Sequence, residues 1–335
     1  MVPHPHDYWP SPAHEDLLRA ALGAGPKAQA AWLRWRSGQA GGTADEASRR
    51  LLPLIHYNLS KAGGGAALHE LRLDRIQTQI RNKAAFGVLD HSLQVLADAG
   101  VACLLLKGAA LSLDVYQDMG LRPMSDLDVA VPHASAQRAV EAMSANGWVL
   151  VDPSPFVGPE AAGAATFQNP AGFEFDLHFS PFHGRLSWRE VAPLWSAAKP
   201  VSVNGQAAFV LSAADQLLHT FSHGARFNAL PGIRWVADAA FIIRLPGGVS
   251  WGAFVDRAEA LKLSLVAWRM LRYLKRTYEL EVPSPVLTGL RRRVTAFEVI
   301  ELAKRRSLAQ RLGGGPRVAR LGNLLLSRLG RLGAR

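Results

Sequence analysis

The sequence predicts an α+β protein, a mixed α/β core flanked by helical N-terminal and C-terminal regions. Three patterns predict it. Apolar residues recur at helical spacing over residues 13–62 and again from Leu71 to Ala99; strand-length apolar runs and one alternating hairpin occupy Val101 to Ser180; helical spacing returns from Ser212 to Tyr278. The 335 residues, 49% hydrophobic and 19% charged, suit two or three domains and exclude disorder of the whole chain.

The first helical block carries Leu17, Leu18, Ala21 and Leu22, then Trp32, Leu33 and Trp35, then Leu51, Leu52, Leu54 and Ile55, and Gly63–Gly65 end it. The long helical pattern from Leu71 stops at Gly100, where a C-terminal glycine cap belongs. Val101–Leu106 is a continuous apolar run of the kind a strand buried on both faces shows. Lys107-Gly108 breaks it. A short helix over Ala109–Tyr116, a loop over Gln117–Ser125 and a strand over Asp126–Val131 follow, then a helix over Ser135–Asn146 and a strand over Trp148–Val151. Asn169-Pro170-Ala171-Gly172 reads as the turn of a hairpin within Ala165–Ser180. In its second arm Phe173, Phe175, Leu177 and Phe179 share one face, and Glu174, Asp176 and His178 the other, because strand side chains alternate. Helices return at Ser212–Arg226, with Ser212 and Asp215 as a capping box, and at Ile233–Arg244, Trp251–Ala260 and Leu263–Tyr278. The expected division is a helical region over 1–70, a core over 71–205, a helical domain over 206–284 and a basic tail over 285–335.

The net charge of +11 is unevenly placed. Residues 285–335 hold twelve of the 38 Lys and Arg against two acids, a net of +10 that leaves +1 on everything before them. A nearly neutral body gives no reason to expect nucleic-acid binding there. The tail, with Gly313–Pro316 as a linker and Leu321-Gly-Asn-Leu-Leu-Leu among arginines, reads as a solvated face or as a surface for RNA or a membrane; no aromatic residue follows Phe297 to stack on bases. The single cysteine, Cys103, forms no intrachain disulfide and sits in an apolar run, as a small buried hydrophobe does. The N-terminus lacks the basic and apolar regions of a signal peptide, and no apolar stretch reaches the length of a membrane span, so a cytoplasmic location is expected.

Asp126 and Asp128 lie two apart on an expected strand, so both carboxylates face one way, and Asp176 can supply a third. Three convergent carboxylates are an oxygen-rich set suited to Mg²⁺, and a two-metal site of this kind activates a hydroxyl and neutralises a leaving group in phosphoryl displacement. An Asp-x-Asp pair alone also describes a solvated strand end. The preceding unit of strand, Lys107-Gly108 and helix adds weight, because a glycine turn lets backbone N–H groups approach a phosphate. Glu174 and His178 flank Asp176 on its face, as groups that orient a ligand or meet substrate. His219 and His223 have a zinc-compatible spacing, but the glutamate of H-E-x-x-H is missing, so a packed or substrate-lining pair is expected. No P-loop, dinucleotide-binding, nucleophile-elbow or zinc-type cysteine motif is present.

The segment Leu104-Leu105-Leu106-Lys107-Gly108, Tyr116 and Arg122-Pro123-Met124-Ser125-Asp126-Leu127-Asp128 resembles the nucleotidyltransferase superfamily that includes DNA polymerase beta. It resembles more narrowly a bacterial family of uncharacterised nucleotidyltransferases, the likeness running over about residues 13–245, through Phe175–Phe179 and on to Asp215, His219, His223, Arg234-Trp235 and Asp238. The resemblance implies a polymerase-beta-like core that transfers a nucleoside monophosphate from an NTP to an acceptor, with Mg²⁺ or Mn²⁺ and release of pyrophosphate. Asp126, Asp128 and Asp176 match its metal-binding carboxylates, Asp176 also taking the acceptor's proton. Lys107, Gly108, Ala109, Arg122 and Ser125 fall on the nucleotide side. Ala109 stands where Ser or Gly is commoner, and the spacing from Gly108 to Asp126 is longer than in many members. A small metabolite, a peptide or protein side chain and an RNA end all remain open as acceptor. Two rival readings use the same carboxylates: a catalytically silent nucleotide-binding module, and a metal-dependent phosphohydrolase or nuclease with water as the nucleophile.

Overall fold

The computed structural model describes residues 9–38, 44–61, 68–152, 163–182, 188–225 and 232–312; the first eight residues, the Gly63–Gly65 break, the Gly313–Pro316 linker and the arginine-rich run beyond it lie outside them. The elements in chain order begin with α1 (Pro12–Leu22), α2 (Gly25–Gly38), α3 (Glu46–Arg49), α4 (Leu52–Lys61) and the long α5 (Leu68–Asp98). Then come β1 (Leu104–Leu105), α6 (Lys107–Ala110) continuing as a π-helical segment over Leu111–Tyr116, β2 (Leu127–Ala130), α7 (Ala136–Ala145), β3 (Val149–Asp152), β4 (Ala164–Gln168), β5 (Glu174–His178) and α8 (Trp188–Ser196). The chain closes with β6 (Lys199–Val203), β7 (Gln206–Val210), α9 (Ala213–Gly224), α10 (Arg234–Ile243), α11 (Trp251–Ala260), α12 (Ser264–Tyr278), α13 (Ser284–Arg292) and α14 (Ala296–Leu312). These fall into two compact units, residues 72–219, and the residues before 72 together with those from 220 on.

In the unit formed by residues 72–219 a seven-stranded mixed sheet runs in the order β3-β4-β5-β2-β1-β7-β6. β2 is parallel to β5 and antiparallel to β1, and β1 is parallel to β7. One face of the sheet is apolar: Leu105, Leu127, Val129, Phe167, Phe175, Leu177 and Val210 form a single core with Leu89, Leu93 and Leu96 of α5 and Ala139 and Met143 of α7. Strand alternation sends every second side chain to the opposite face, which is where Asp128, Asp176 and His178 emerge. The expected hairpin forms, with the Phe173 N–H donating to Asn169 Oδ1 at 2.9 Å across the turn. The expected capping box forms as well, since the Asp215 N–H donates to Ser212 Oγ at 3.2 Å and that hydroxyl donates to Asp215 Oδ2 at 2.7 Å.

Three expectations are corrected. The strand expected over Asp126–Val131 is confined to Leu127–Ala130, leaving Asp126 in the bend before it. The hairpin of β6 and β7 is not among the expected elements, although Asn204-Gly205 between two short alternating segments is the strongest local sign of a two-residue turn; both residues have positive φ, 50° and 103°, as that turn requires. A core ending at residue 205 would therefore cut this hairpin, and with it β7, out of the sheet. Residues 285–304, expected to begin a separate tail, pack through Val286 and Leu290 of α13 and through the buried Glu298 of α14. Glu298 accepts from the Leu265 N–H at 3.0 Å, satisfying one of the free donors at the start of α12, and from the Thr295 N–H at 2.8 Å.

In the other unit α1 packs on α2, α4 and α10, burying Leu17, Leu18, Ala20 and Ala21. Trp235 sits among aromatic rings, with centroids 6.0 Å from Phe221, 5.9 Å from Tyr273 and 6.1 Å from Trp9. Among the described residues no helix is long and apolar enough to cross a membrane.

A Cβ on Gly224, the last residue of α9, would lie 2.6 Å from Trp235 Cγ and 2.7 Å from its Cβ, too near the Trp235 backbone for a rotamer change to relieve. Gly224→Ala is expected to destabilise this unit by about 1–3 kcal/mol, the usual cost of overpacking, lowering the urea midpoint followed by tryptophan fluorescence. An unchanged midpoint would contradict the packing described. Cys103 is buried, and burial pushes its thiol up to about 12. At pH 8 it is a shielded, neutral thiol, so Ellman's reagent is expected to find no reactive thiol in the native protein and one after denaturation.

Candidate functional site

The site is built by the pairing of two short central strands. In β2, Leu127 and Val129 enter the core while Asp128 faces away from it; in β5, Phe175 and Leu177 do the same while Asp176 and His178 face away. The parallel register sets Asp128 directly beside Asp176 and Ala130 beside His178, so two carboxylates and an imidazole converge with their ligand atoms within 4.8 Å of one another.

Asp128 is the buried centre of the group, 1% exposed. Its Oδ1 accepts from Lys107 Nζ and is hydrogen-bonded to His178 Nε2 at 2.8 Å. Its Oδ2 is buried and has no hydrogen-bond partner. Burial by itself would raise the carboxyl's pKa, but the Lys107 ammonium and the His178 hydrogen bond override it and hold Asp128 well below the usual carboxylate range. Asp176 is shifted the other way: its own burial, with the neighbouring Asp128 charge, raises it against the opposing hydrogen bond from Thr166. Thr166 Oγ1, on β4, donates to Asp176 Oδ1 at 2.7 Å.

Lys107 reaches Asp128 because of the backbone turn it occupies. The Leu106 N–H donates to the Asp128 carbonyl at 2.9 Å, continuing the β1–β2 pairing one residue further, and Lys107 then takes a left-handed φ of 43° as the chain swings into α6. That conformation costs a non-glycine residue about 1–2 kcal/mol. It also brings the lysine stem back across the strand end toward Asp128.

The other expected site residues have separate places. Asp126 is half-buried, accepts from Ser125 Oγ at 3.0 Å and lies outside the Asp128, Asp176 and His178 group. Gly108 and Ala109 are buried at the start of α6. A Cβ on Gly108 would fall 2.8 Å from Met124 Cγ and 3.1 Å from Arg122 Nη1, so the side chains of Met124 and the buried Arg122 pack directly against this glycine. Glu174 is exposed at the first position of β5. His219 and His223 both lie on α9, His219 with its ring 5.4 Å from that of Phe182, and among the described residues neither belongs to a group able to hold a metal.

Two contributors have no place in the sequence reading. Thr166 is legible in retrospect, because the hairpin register that follows from the Asn169–Gly172 turn sets it opposite Asp176. Asn82 is not. Buried on α5, it donates through Nδ2 to the carbonyls of Met119 and Arg122, both at 2.8 Å, and accepts from the Met124 N–H at 3.3 Å. Arg75 adds a second tie from the same helix, donating to Asp118 Oδ2 at 2.8 Å.

Two carboxylates and an imidazole in reach of one another, one oxygen buried and unsatisfied, form a donor set that fits a divalent cation. These paired acids stand on adjacent strands of a mixed sheet, with Lys107 of the strand-to-helix turn against one of them. The chain belongs to the family described as uncharacterised nucleotidyltransferase, whose model matches residues 47–279. No curated protein matches the chain. Among solved structures it is similar to an antigenic nucleotidyltransferase-like protein from Paracoccidioides brasiliensis, at 16% identity and a TM-score of 0.39, over 63% of this chain and 94% of that one.

Replacing Asn82 by Ala removes all three ties to the loop of residues 119–124. The expected result is faster amide hydrogen exchange over 119–126 and a stability loss of about 1–3 kcal/mol from the backbone groups left unsatisfied. Unchanged exchange in that loop would show that other contacts hold it.

Proposed function

We propose that the protein transfers a nucleoside monophosphate from an NTP to an acceptor hydroxyl, with Mg²⁺ or Mn²⁺ and with pyrophosphate leaving. Family membership supports the transferase class. The observation that carries the reading is the juxtaposition of Asp128 and Asp176 on paired strands, with a buried Asp128 oxygen that lacks a partner.

In this reading Asp128 and Asp176 hold the cation, and Asp126, two residues upstream of Asp128, is a further carboxylate for it. When bound, the cation would polarise the α-phosphate and neutralise the charge on the departing pyrophosphate. The chain's own part is to position the reactants and to move one proton. The acceptor oxygen forms its bond to the α-phosphorus, the bond from that phosphorus to the bridging oxygen breaks, and the acceptor's proton passes to Asp176, oriented by Thr166. In this reading Lys107, Arg122, Ser125 and the Gly108-Ala109 turn serve the triphosphate, since cationic groups stabilise developing phosphoryl charge. Glu174, His178, His219 and His223 are candidates for orienting the ligands or lining the acceptor site. The acceptor is a small molecule, a peptide or protein side chain, or an RNA end, and the residues beyond 312 are a candidate contact for an anionic partner such as RNA or a membrane surface.

Calorimetry with ATP, CTP, GTP and UTP, with and without Mg²⁺, tests the reading on the wild type, Asp128→Asn and Asp176→Asn. The expected outcome is Mg²⁺-dependent binding of at least one nucleotide, weakened at least about tenfold in folded variants, a loss of 1.4 kcal/mol or more. Binding that ignores Mg²⁺ and both substitutions would sink the assignment, and release of NMP and pyrophosphate with no acceptor adduct would favour a phosphohydrolase.

A further inference from the structure

We infer that the Lys107 ammonium is a resident counter-ion that competes with the divalent cation for Asp128, so that cation binding expels it toward an incoming polyphosphate. The inference rests on the reading of Asp128 and Asp176 as cation ligands. It is carried by how the Asp128 oxygens are shared. Oδ1 is engaged by both Lys107 and His178, and Oδ2 alone is unsatisfied. A cation on the Asp128–Asp176 pair would share a carboxylate with a full positive charge at contact distance, where the repulsion is strong even in a well-screened protein environment.

The geometry leaves the lysine a way out. Its backbone is held in the left-handed turn between β1 and α6, but its side chain is 15% exposed, against 1% for Asp128, and hangs on a flexible four-carbon stem. Without a cation the ammonium keeps the buried carboxylate compensated. With one, the carboxylate is compensated by the metal and Lys107 becomes a free cation beside the triphosphate. The exchange couples the two ligands: a polyphosphate that takes up the displaced ammonium tightens cation binding, and by thermodynamic reciprocity the cation tightens polyphosphate binding by the same factor.

Binding of Mn²⁺ to the nucleotide-free protein, read from the electron paramagnetic resonance signal of the free ion, tests this on the wild type, Lys107→Met and Asp128→Asn. Lys107→Met is expected to bind Mn²⁺ at least about tenfold more tightly than the wild type, and Asp128→Asn to lose the site. Wild-type protein gives a second measurement that needs no folded variant. Reductive methylation read by mass spectrometry should rise several-fold at Lys107 on adding Mg²⁺, with the exposed Lys27 unchanged as the internal reference. Equal Mn²⁺ affinity in the wild type and Lys107→Met, with unaltered Lys107 labelling, would overturn the inference and leave the cation site standing. Mn²⁺ binding to none of the proteins would remove the cation site itself and the inference with it.

Discussion

Burying a carboxylate removes hydration worth several kcal/mol unless other groups replace it, and Asp128 is buried at the centre of the sheet. The replacement comes from two side chains, with a strand pairing to hold them in place. Lys107 arrives from the turn after β1, His178 from two positions beyond Asp176 on β5, and the β2–β5 pairing holds Asp128 and Asp176 in register. Asp176 is the costly member, since its own burial raises it and the Asp128 charge adds to that, against the Thr166 hydrogen bond and the charges of His178 and Lys107. Such a cluster makes little sense as packing. Its unsatisfied oxygen and neighbouring carboxylates make a donor set that a cation would fit.

The surroundings hold this centre rigid. The loop from 117 to 126, which carries Arg122, Ser125 and Asp126, is fastened to α5 by Asn82 and Arg75. The π-helical segment after α6 is anchored by Asp114, which accepts from Lys199 Nζ at 2.8 Å and from Gln216 Nε2 at 2.8 Å. Those contacts connect the site's first turn to β6 and α9 within the same unit, and wide helical turns of this kind recur where a helix has been adapted to a function. The cluster is therefore approached by side chains whose backbones are fixed on several sides, which is the condition for placing groups to within a fraction of an ångström.

Much of the fold was legible from local pattern. The long α5, the hairpin of β4 and β5, and α9 to α12 fall close to where periodicity and turn residues set them, because each is decided by contacts within a few residues along the chain. The hairpin of β6 and β7 carried a readable signal in Asn204-Gly205. The single unit formed by residues before 72 and from 220 on carried none, since nothing in either segment's local pattern names the other as its partner. The inclusion of 285–304 in that unit likewise depends on Glu298 meeting the start of α12 and on Leu290 finding a core. Net charge marked that stretch as basic but said nothing about its burial.

The sequence by itself determined most of the element types, the alternation that turns Asp128, Asp176 and His178 away from the core, and the break at Lys107-Gly108 between strand and helix. These follow from backbone periodicity and from the conformations open to each residue type. Only the tertiary structure decided which strand lies beside which, and so the company each acid keeps. Parallel pairing of β2 with β5 made His178 a partner of Asp128, and antiparallel pairing of β1 with β2, continued by the Leu106 N–H, brought the Lys107 ammonium to Asp128, while Asp126 stays in the bend before β2 and outside the cluster. Strand pairing joins residues about fifty positions apart through backbone hydrogen bonds that are the same for every side chain. Its register is therefore set by the packing of the whole sheet on its helices, not by the residues that carry the chemistry.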